Sequence, residues 1–194
     1  MNKSILILSV PRSGTTSLLY SFEKSFKVFD EPLNTFMRKE YTTKEFFELI
    51  KQKGIAIKSM TDHIPYDYTG DHISFLSKII PYFNHVILLD RKDCNAQKKS
   101  YERIIDDTLK RNKKFTYKTA SNLIKFLYLQ KYLLREISDD FDLDITYYED
   151  LFYSDSKTIF TNLKIDHSLI DFSILDPKNR YSDNIHFEKP KTLL

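Results

Sequence analysis

A chain of 194 residues with 41% hydrophobic content can bury a sizeable core, and residues 1–194 read as a single domain. A net charge of +3 is too small to point to nucleic acid, and no stretch approaches the ~20 apolar residues of a membrane span. The lone Cys94 has no internal disulfide partner, which suits a reducing cytoplasm, and no signal peptide is expected because the apolar run at 5–8 is followed at once by Pro11-Arg12-Ser13-Gly14.

In chain order, apolar runs alternate with helical patterns, which predicts an α/β fold: a three-layer sandwich with a central parallel sheet. The first strand is Ile5 to Val10, running into Pro11-Arg12-Ser13-Gly14-Thr15-Thr16-Ser17 and then a helical pattern. Such a turn places successive backbone N–H groups and hydroxyls where a phosphate or sulfate is favoured. The layout is of the P-loop nucleotide-binding type, with a departure. A Walker A loop carries Gly at position 9 and Lys at 15, where Ser9 and Thr15 stand here, and the cation is Arg12 instead. An ordinary Ser/Thr-capped helix after a strand accounts for the same residues.

A short strand, Lys27 to Phe29, leads to Asp30-Glu31-Pro32-Leu33. Thr42-Thr43-Lys44-Glu45 is a capping box opening the helix through Ile50, with Gly54 closing it. The strand Ile55 to Lys58 precedes Ser59, Met60, Asp62 and His63, and Asp71 caps a helix over Ile73 to Ile80. Val86 to Leu89 ends in Asp90-Arg91-Lys92-Asp93, followed within a helical pattern by Ser100. From Lys98 to Lys114, seven basic residues stand against three acidic ones: a solvated helix face by default, or an electropositive rim for an anionic ligand. The longest helix is expected from Thr119 to Ile137, with Leu123, Phe126, Leu127, Leu133, Leu134 and Ile137 facing the core. The last strand, Asp144 to Tyr147, runs into Tyr148-Glu149-Asp150-Leu151. Ligands of such sheets bind beyond the carboxyl ends of the strands, and Arg12, Glu31, Lys58, Arg91 and Tyr148 all fall at or just after predicted strand ends.

Four of these segments, Pro-Arg-Ser-Gly-Thr-Thr at 11–16, Glu-Pro-Leu at 31–33, the strand ending at Arg91 with Ser100 beyond it, and Tyr-Glu-Asp-Leu at 148–151, resemble the sulfotransferases. The donor of that family is 3′-phosphoadenosine 5′-phosphosulfate (PAPS), and the style is nearest to its bacterial and carbohydrate-acting members. The resemblance implies that Arg12, Ser13, Gly14, Thr15, Thr16 and Ser17 hold the 5′-phosphosulfate, that Arg91 and Ser100 read the 3′-phosphate, and that Tyr148 lies near the adenine. It implies Glu31 as the general base, taking a proton from a hydroxyl or amine acceptor such as a glycan, and no metal. The family's alternative base is a His in a Lys-Thr-His segment; here that segment reads Lys58-Ser59-Met60, which leaves Lys58 as a second cation at the sulfuryl group and Asp62 and His63 as reserve bases. The tail offers Lys178-Asn179-Arg180-Tyr181 but none of the glycine expected in a loop that folds over the donor. A P-loop small-molecule kinase and a non-catalytic PAPS-binding protein are the competing readings.

Overall fold

The computed structural model describes residues 3–34, 41–111 and 117–176. Five strands, β1 (Ile5–Ser9), β2 (Lys27–Asp30), β3 (Ile55–Met60), β4 (His85–Asp90) and β5 (Ile145–Tyr147), form one parallel sheet in the order β2-β3-β1-β4-β5. The helices are α1 (Thr15–Tyr20), α2 (Thr43–Ile50), α3 (His72–Ile79), α4 (Cys94–Arg111), α5 (Tyr117–Phe141), α6 (Tyr148–Tyr153), α7 (Ser156–Asn162) and α8 (Phe172–Leu175).

Every residue of β1 is buried because both faces of the sheet are covered, and its side chains divide by parity between two cores. Ile5 and Ile7 pack with Leu18 and Leu19 of α1, Phe22 in the turn after it, Tyr148 and Phe152 of α6 and Phe160 of α7. Leu6 and Leu8 pack with Phe46 and Leu49 of α2, Phe75 of α3 and Leu127, Leu134 and Ile137 of α5. Helices thus flank both faces of the sheet, the three layers expected. Phe supplies the aromatic interior: Phe22, Phe46, Phe75 and Phe160 are fully buried, whereas Tyr66, Tyr128, Tyr132 and Tyr153 stand on the surface.

The capping box of α2 is complete, with Thr42 Oγ1 accepting the Glu45 amide and the Glu45 carboxylate accepting the Thr42 amide, and Asp71 accepts the Ser74 amide to cap α3. Three expectations need correction. Gly54 does not close α2, which ends at Ile50; at φ 69° it makes the turn into β3, where its amide donates to Lys3 and its carbonyl accepts from Lys27. Helix α5 extends beyond both expected ends, from Tyr117 to Phe141. Phe126 is 41% exposed, and the buried face of α5 carries Gln130 and Lys131 among its apolar residues. Among the described residues, no helix is long and apolar enough to cross a membrane.

This topology places one crevice. The chain leaves β1 for α1 on one face of the sheet, while the neighbouring β3 leads to α3 on the other. Where adjacent strands send their connections to opposite faces, a gap opens at their carboxyl ends. The loop of residues 10–14 lies at that gap.

Candidate functional site

The loop after β1 is anchored on both sides before it turns. Val10 donates its amide to Leu89 of β4, and Thr61 donates to Ser9. Arg12 (φ 66°) and Gly14 (φ 77°) are both left-handed. For a non-glycine residue this conformation costs roughly 1–2 kcal/mol, so Arg12 is held there by its surroundings. Gln97 of α4 does the holding. Fully buried, it donates from Nε2 to the Pro11 carbonyl at 2.9 Å and to Ser13 Oγ at 3.1 Å, while Ser100, one turn on, accepts Arg12 Nε at 3.0 Å. Gly14 is required by contact as well as conformation, since a Cβ there would lie 2.7 Å from the rings of Tyr148 and Phe152.

Turned this way, the loop presents a row of amides. Among the described residues, the backbone N–H groups of Ser13, Gly14, Thr15, Thr16 and Ser17 meet no protein acceptor; the first amide satisfied in α1 is that of Leu18, on the Gly14 carbonyl. Successive unsatisfied donors at a chain turn form an anion-binding concavity. The six-residue α1 is too short for a large dipole, so the amides themselves carry the attraction.

Beside the loop lies a buried charge cluster. Register pairs Asp30 of β2 with Lys58 of β3, and Lys58, only 3% exposed, divides its ammonium among Asp30 Oδ1 at 2.8 Å, Glu31 Oε1 at 2.8 Å and Thr16 Oγ1 at 3.0 Å. The ammonium thus pairs with two carboxylates and donates a hydrogen bond to the Thr16 hydroxyl. Glu31 is left-handed at φ 50°, with Asn34 Nδ2 donating to its Oε2 at 2.6 Å. Burial pushes the Glu31 carboxyl up, but the Lys58 charge and the hydrogen bonds from Lys58 and Asn34 outweigh it and hold Glu31 below its ordinary range. Glu31 is therefore an anion at neutral pH. Lys58, expected as a second cation at the sulfuryl group, reaches the loop through the Thr16 hydroxyl and is shared with two carboxylates.

The reserve bases sit close to this cluster. Burial lowers the His63 pKa, against the opposing pull of Asp62, so the ring is neutral; its Nδ1 accepts the Met60 amide at 3.4 Å, which leaves the ring proton on Nε2. A ring held in this tautomer offers a donor, not a base. Burial raises the Asp62 pKa, and Asp62 Oδ1 has no hydrogen-bond partner. A group with a raised folded pKa contributes most below its unfolded value and loses that contribution as pH rises through the folded value. Asp62→Asn should accordingly raise the melting temperature at pH 8, by about 2–4 °C, with the gain disappearing below pH ~4. Thermal melts across that range would check it; a variant less stable at pH 8 would show that the ionised carboxylate is needed by the fold.

At the end of β4, Lys131 of α5 donates to both carboxylate oxygens of Asp90 at 2.6 and 2.8 Å and to the Arg91 carbonyl at 3.1 Å. Arg91 thereby leaves the strand in a fixed direction. Its guanidinium lies 4.6 Å from the centroid of the Tyr148 ring, and Nε stands 3.7 Å from Glu149 with no hydrogen bond of its own. Glu149 is occupied in accepting the Lys92 and Asp93 amides just before α4.

The chain matches no protein-family model and no curated protein. Contacts link the expected residues into one chain: Glu31 to Lys58, Lys58 to Thr16, Gly14 to Tyr148 and Tyr148 to Arg91, with Ser100 joined through Arg12. Two placements bear on the expected roles. Ser100, assigned with Arg91 to the 3′-phosphate, accepts from Arg12. Tyr148 is 6% exposed, its ring packed against Gly14, Phe152 and the Arg91 guanidinium, so a base stacking on it would have to displace that guanidinium. Thr15 is buried. Asp30, Gln97 and the Asp90–Lys131 pair are additions the sequence reading lacked. The tail at 178–181 lies outside the described residues. Among the described residues no group of three or more His, Cys, Asp and Glu is arranged to hold a metal ion.

Proposed function

We propose that the protein is a P-loop-type sulfotransferase that moves a sulfuryl group from PAPS to a hydroxyl or amine acceptor. The observation that carries this reading is a row of acceptor-free amides joined, through Thr16 and Lys58, to an ionised carboxylate at the next strand end. Such an arrangement serves in-line transfer of an anionic group, which needs fixed donors at the leaving oxygens and a base at the nucleophile.

In the proposed step the acceptor oxygen or nitrogen attacks the sulfur while its proton passes to a Glu31 oxygen. The bond from sulfur to the 5′-phosphate oxygen breaks, and its electron pair leaves with adenosine 3′,5′-bisphosphate. Arg12 and the amides of Ser13 to Ser17 take up the charge that builds on that phosphate. As Glu31 becomes neutral, Asp30 remains as counter-ion to Lys58, so the buried ammonium is never uncompensated. Arg91, with an Nε that has no hydrogen bond, is the group for the 3′-phosphate, and Ser100 keeps a hydroxyl hydrogen to donate while accepting from Arg12.

Incubation with PAPS radiolabelled in the sulfuryl group, against a panel of sugars, amines and phenols, tests the activity. Label should pass to at least one acceptor class without added metal. Binding of the nucleotide with no transfer to any class would favour a PAPS-binding protein instead.

A further inference from the structure

The longest helix carries two apolar faces, and the sheet uses only one. Leu127, Leu134 and Ile137 of α5 are buried against the sheet, while Leu129 (48% exposed) and Tyr132 (57%) point the opposite way, with Tyr128 (53%) beside them. Lys125, Leu129, Tyr132 and Glu136 follow one another at spacings of four, three and four residues, the 3.5-residue period of a helix–helix seam. A stripe of this kind on the solvent face of a helix marks an interaction surface.

The charges at the two ends of the stripe say what fits it. Lys125 lies at its N-terminal end, with no ion-pair partner among the described residues, and Glu136 at its C-terminal end, within hydrogen-bonding reach of Tyr132. When two copies of a helix pack antiparallel about a two-fold axis, residues equidistant from the axis face each other. An axis midway between Leu129 and Tyr132 sets Leu129 against the second copy's Tyr132 and, by the same count, Lys125 against its Glu136. The stripe is therefore self-complementary in both apolar content and charge. A parallel arrangement would set Lys125 against Lys125 and Glu136 against Glu136.

We infer that the chain forms an isologous dimer through antiparallel packing of α5 on α5 of a second copy, with Leu129 and Tyr132 at the centre and reciprocal Lys125–Glu136 pairs at the ends. The exposed patch is small, so the dimer belongs to the weak, reversible class of interfaces. It lies on the solvent side of α5 and does not depend on the proposed activity.

Sedimentation velocity on the full chain, from about 1 to 200 μM, reads this directly. The wild type should shift from monomer to dimer across the series. Leu129→Arg should remain monomeric with an unchanged circular-dichroism spectrum, since the side chain is exposed. Lys125→Glu and Glu136→Lys should each weaken association about tenfold, and the double exchange should restore it. A wild type that is monomeric throughout, as it would be if other parts of the chain covered the stripe, overturns the inference. So does a dimer indifferent to Leu129→Arg, or a charge exchange that weakens association further.

Discussion

Lys58→Met should cost about 3–5 kcal/mol of stability at neutral pH, the penalty for removing one partner from a buried ion pair. The size follows from geometry. Lys58 is 3% exposed and is the cation shared by Asp30 and Glu31, so methionine leaves two buried carboxylates at one strand edge facing an apolar group. The sign of the pH dependence separates this account from simple loss of packing. In the wild type the Glu31 pKa is depressed below its ordinary 4.5; its contribution is present above that value and is lost as pH falls through the folded pKa. In the variant the cation is gone, and protonating a carboxylate relieves the repulsion. The deficit relative to wild type should therefore shrink between pH 7 and pH 4. Urea unfolding at the two pH values measures it, and a loss below about 1 kcal/mol at pH 7 would show that water reaches the cluster and screens it.

Glu31→Gln should lower turnover by roughly 10²–10⁴-fold, the usual contribution of a positioned general base, while leaving donor affinity nearly unchanged. Glutamine keeps the size and shape of the side chain: its single carbonyl oxygen can accept from Asn34 or from Lys58 but not from both, and Asp30 remains to balance Lys58. What it removes is the capacity to take a proton. The neighbours are poorly placed to substitute, because His63 has its free nitrogen occupied by the Met60 amide and the raised pKa of Asp62 stems from burial in a site where its Oδ1 finds no donor. Steady-state kinetics together with calorimetric titration of the donor separate the two effects. A variant with unaltered turnover would move the base elsewhere, whereas equal losses in affinity and turnover would make Glu31 a binding residue.

The parts of this protein legible in its sequence are those written locally. Strand β1 shows as an unbroken apolar run because both its faces are buried, and the Thr42–Glu45 capping box shows as a four-residue pattern. The strand ends, and with them the edge where Arg12, Glu31, Lys58 and Arg91 gather, follow from the same punctuation. The partners of those residues were not legible. Asp90 and Lys131 are 41 positions apart, and Gln97 reaches back 84 positions to Ser13; no periodicity announces such pairs. One clue was available in α5, where Gln130 and Lys131 occupy the same helical register as the buried Leu127 and Leu134. A lysine in that register needs a buried carboxylate, and Asp90 is the one it meets. The resemblance assigns Ser100 and Arg91 together to a 3′-phosphate, whereas the bond from Arg12 Nε to the Ser100 hydroxyl, 88 positions apart, is one that no local pattern announces.

The central claim, that the loop after β1 holds a 3′-phosphorylated adenine nucleotide without a metal, is tested most directly by thermal stabilisation with adenosine 3′,5′-bisphosphate in the presence of a chelator, set beside ATP with magnesium. The bisphosphate should stabilise the protein by about 2.7 kcal/mol at a hundredfold excess over its dissociation constant, and ATP with magnesium should do much less. Greater stabilisation by ATP with magnesium, or none by either nucleotide, would contradict the account.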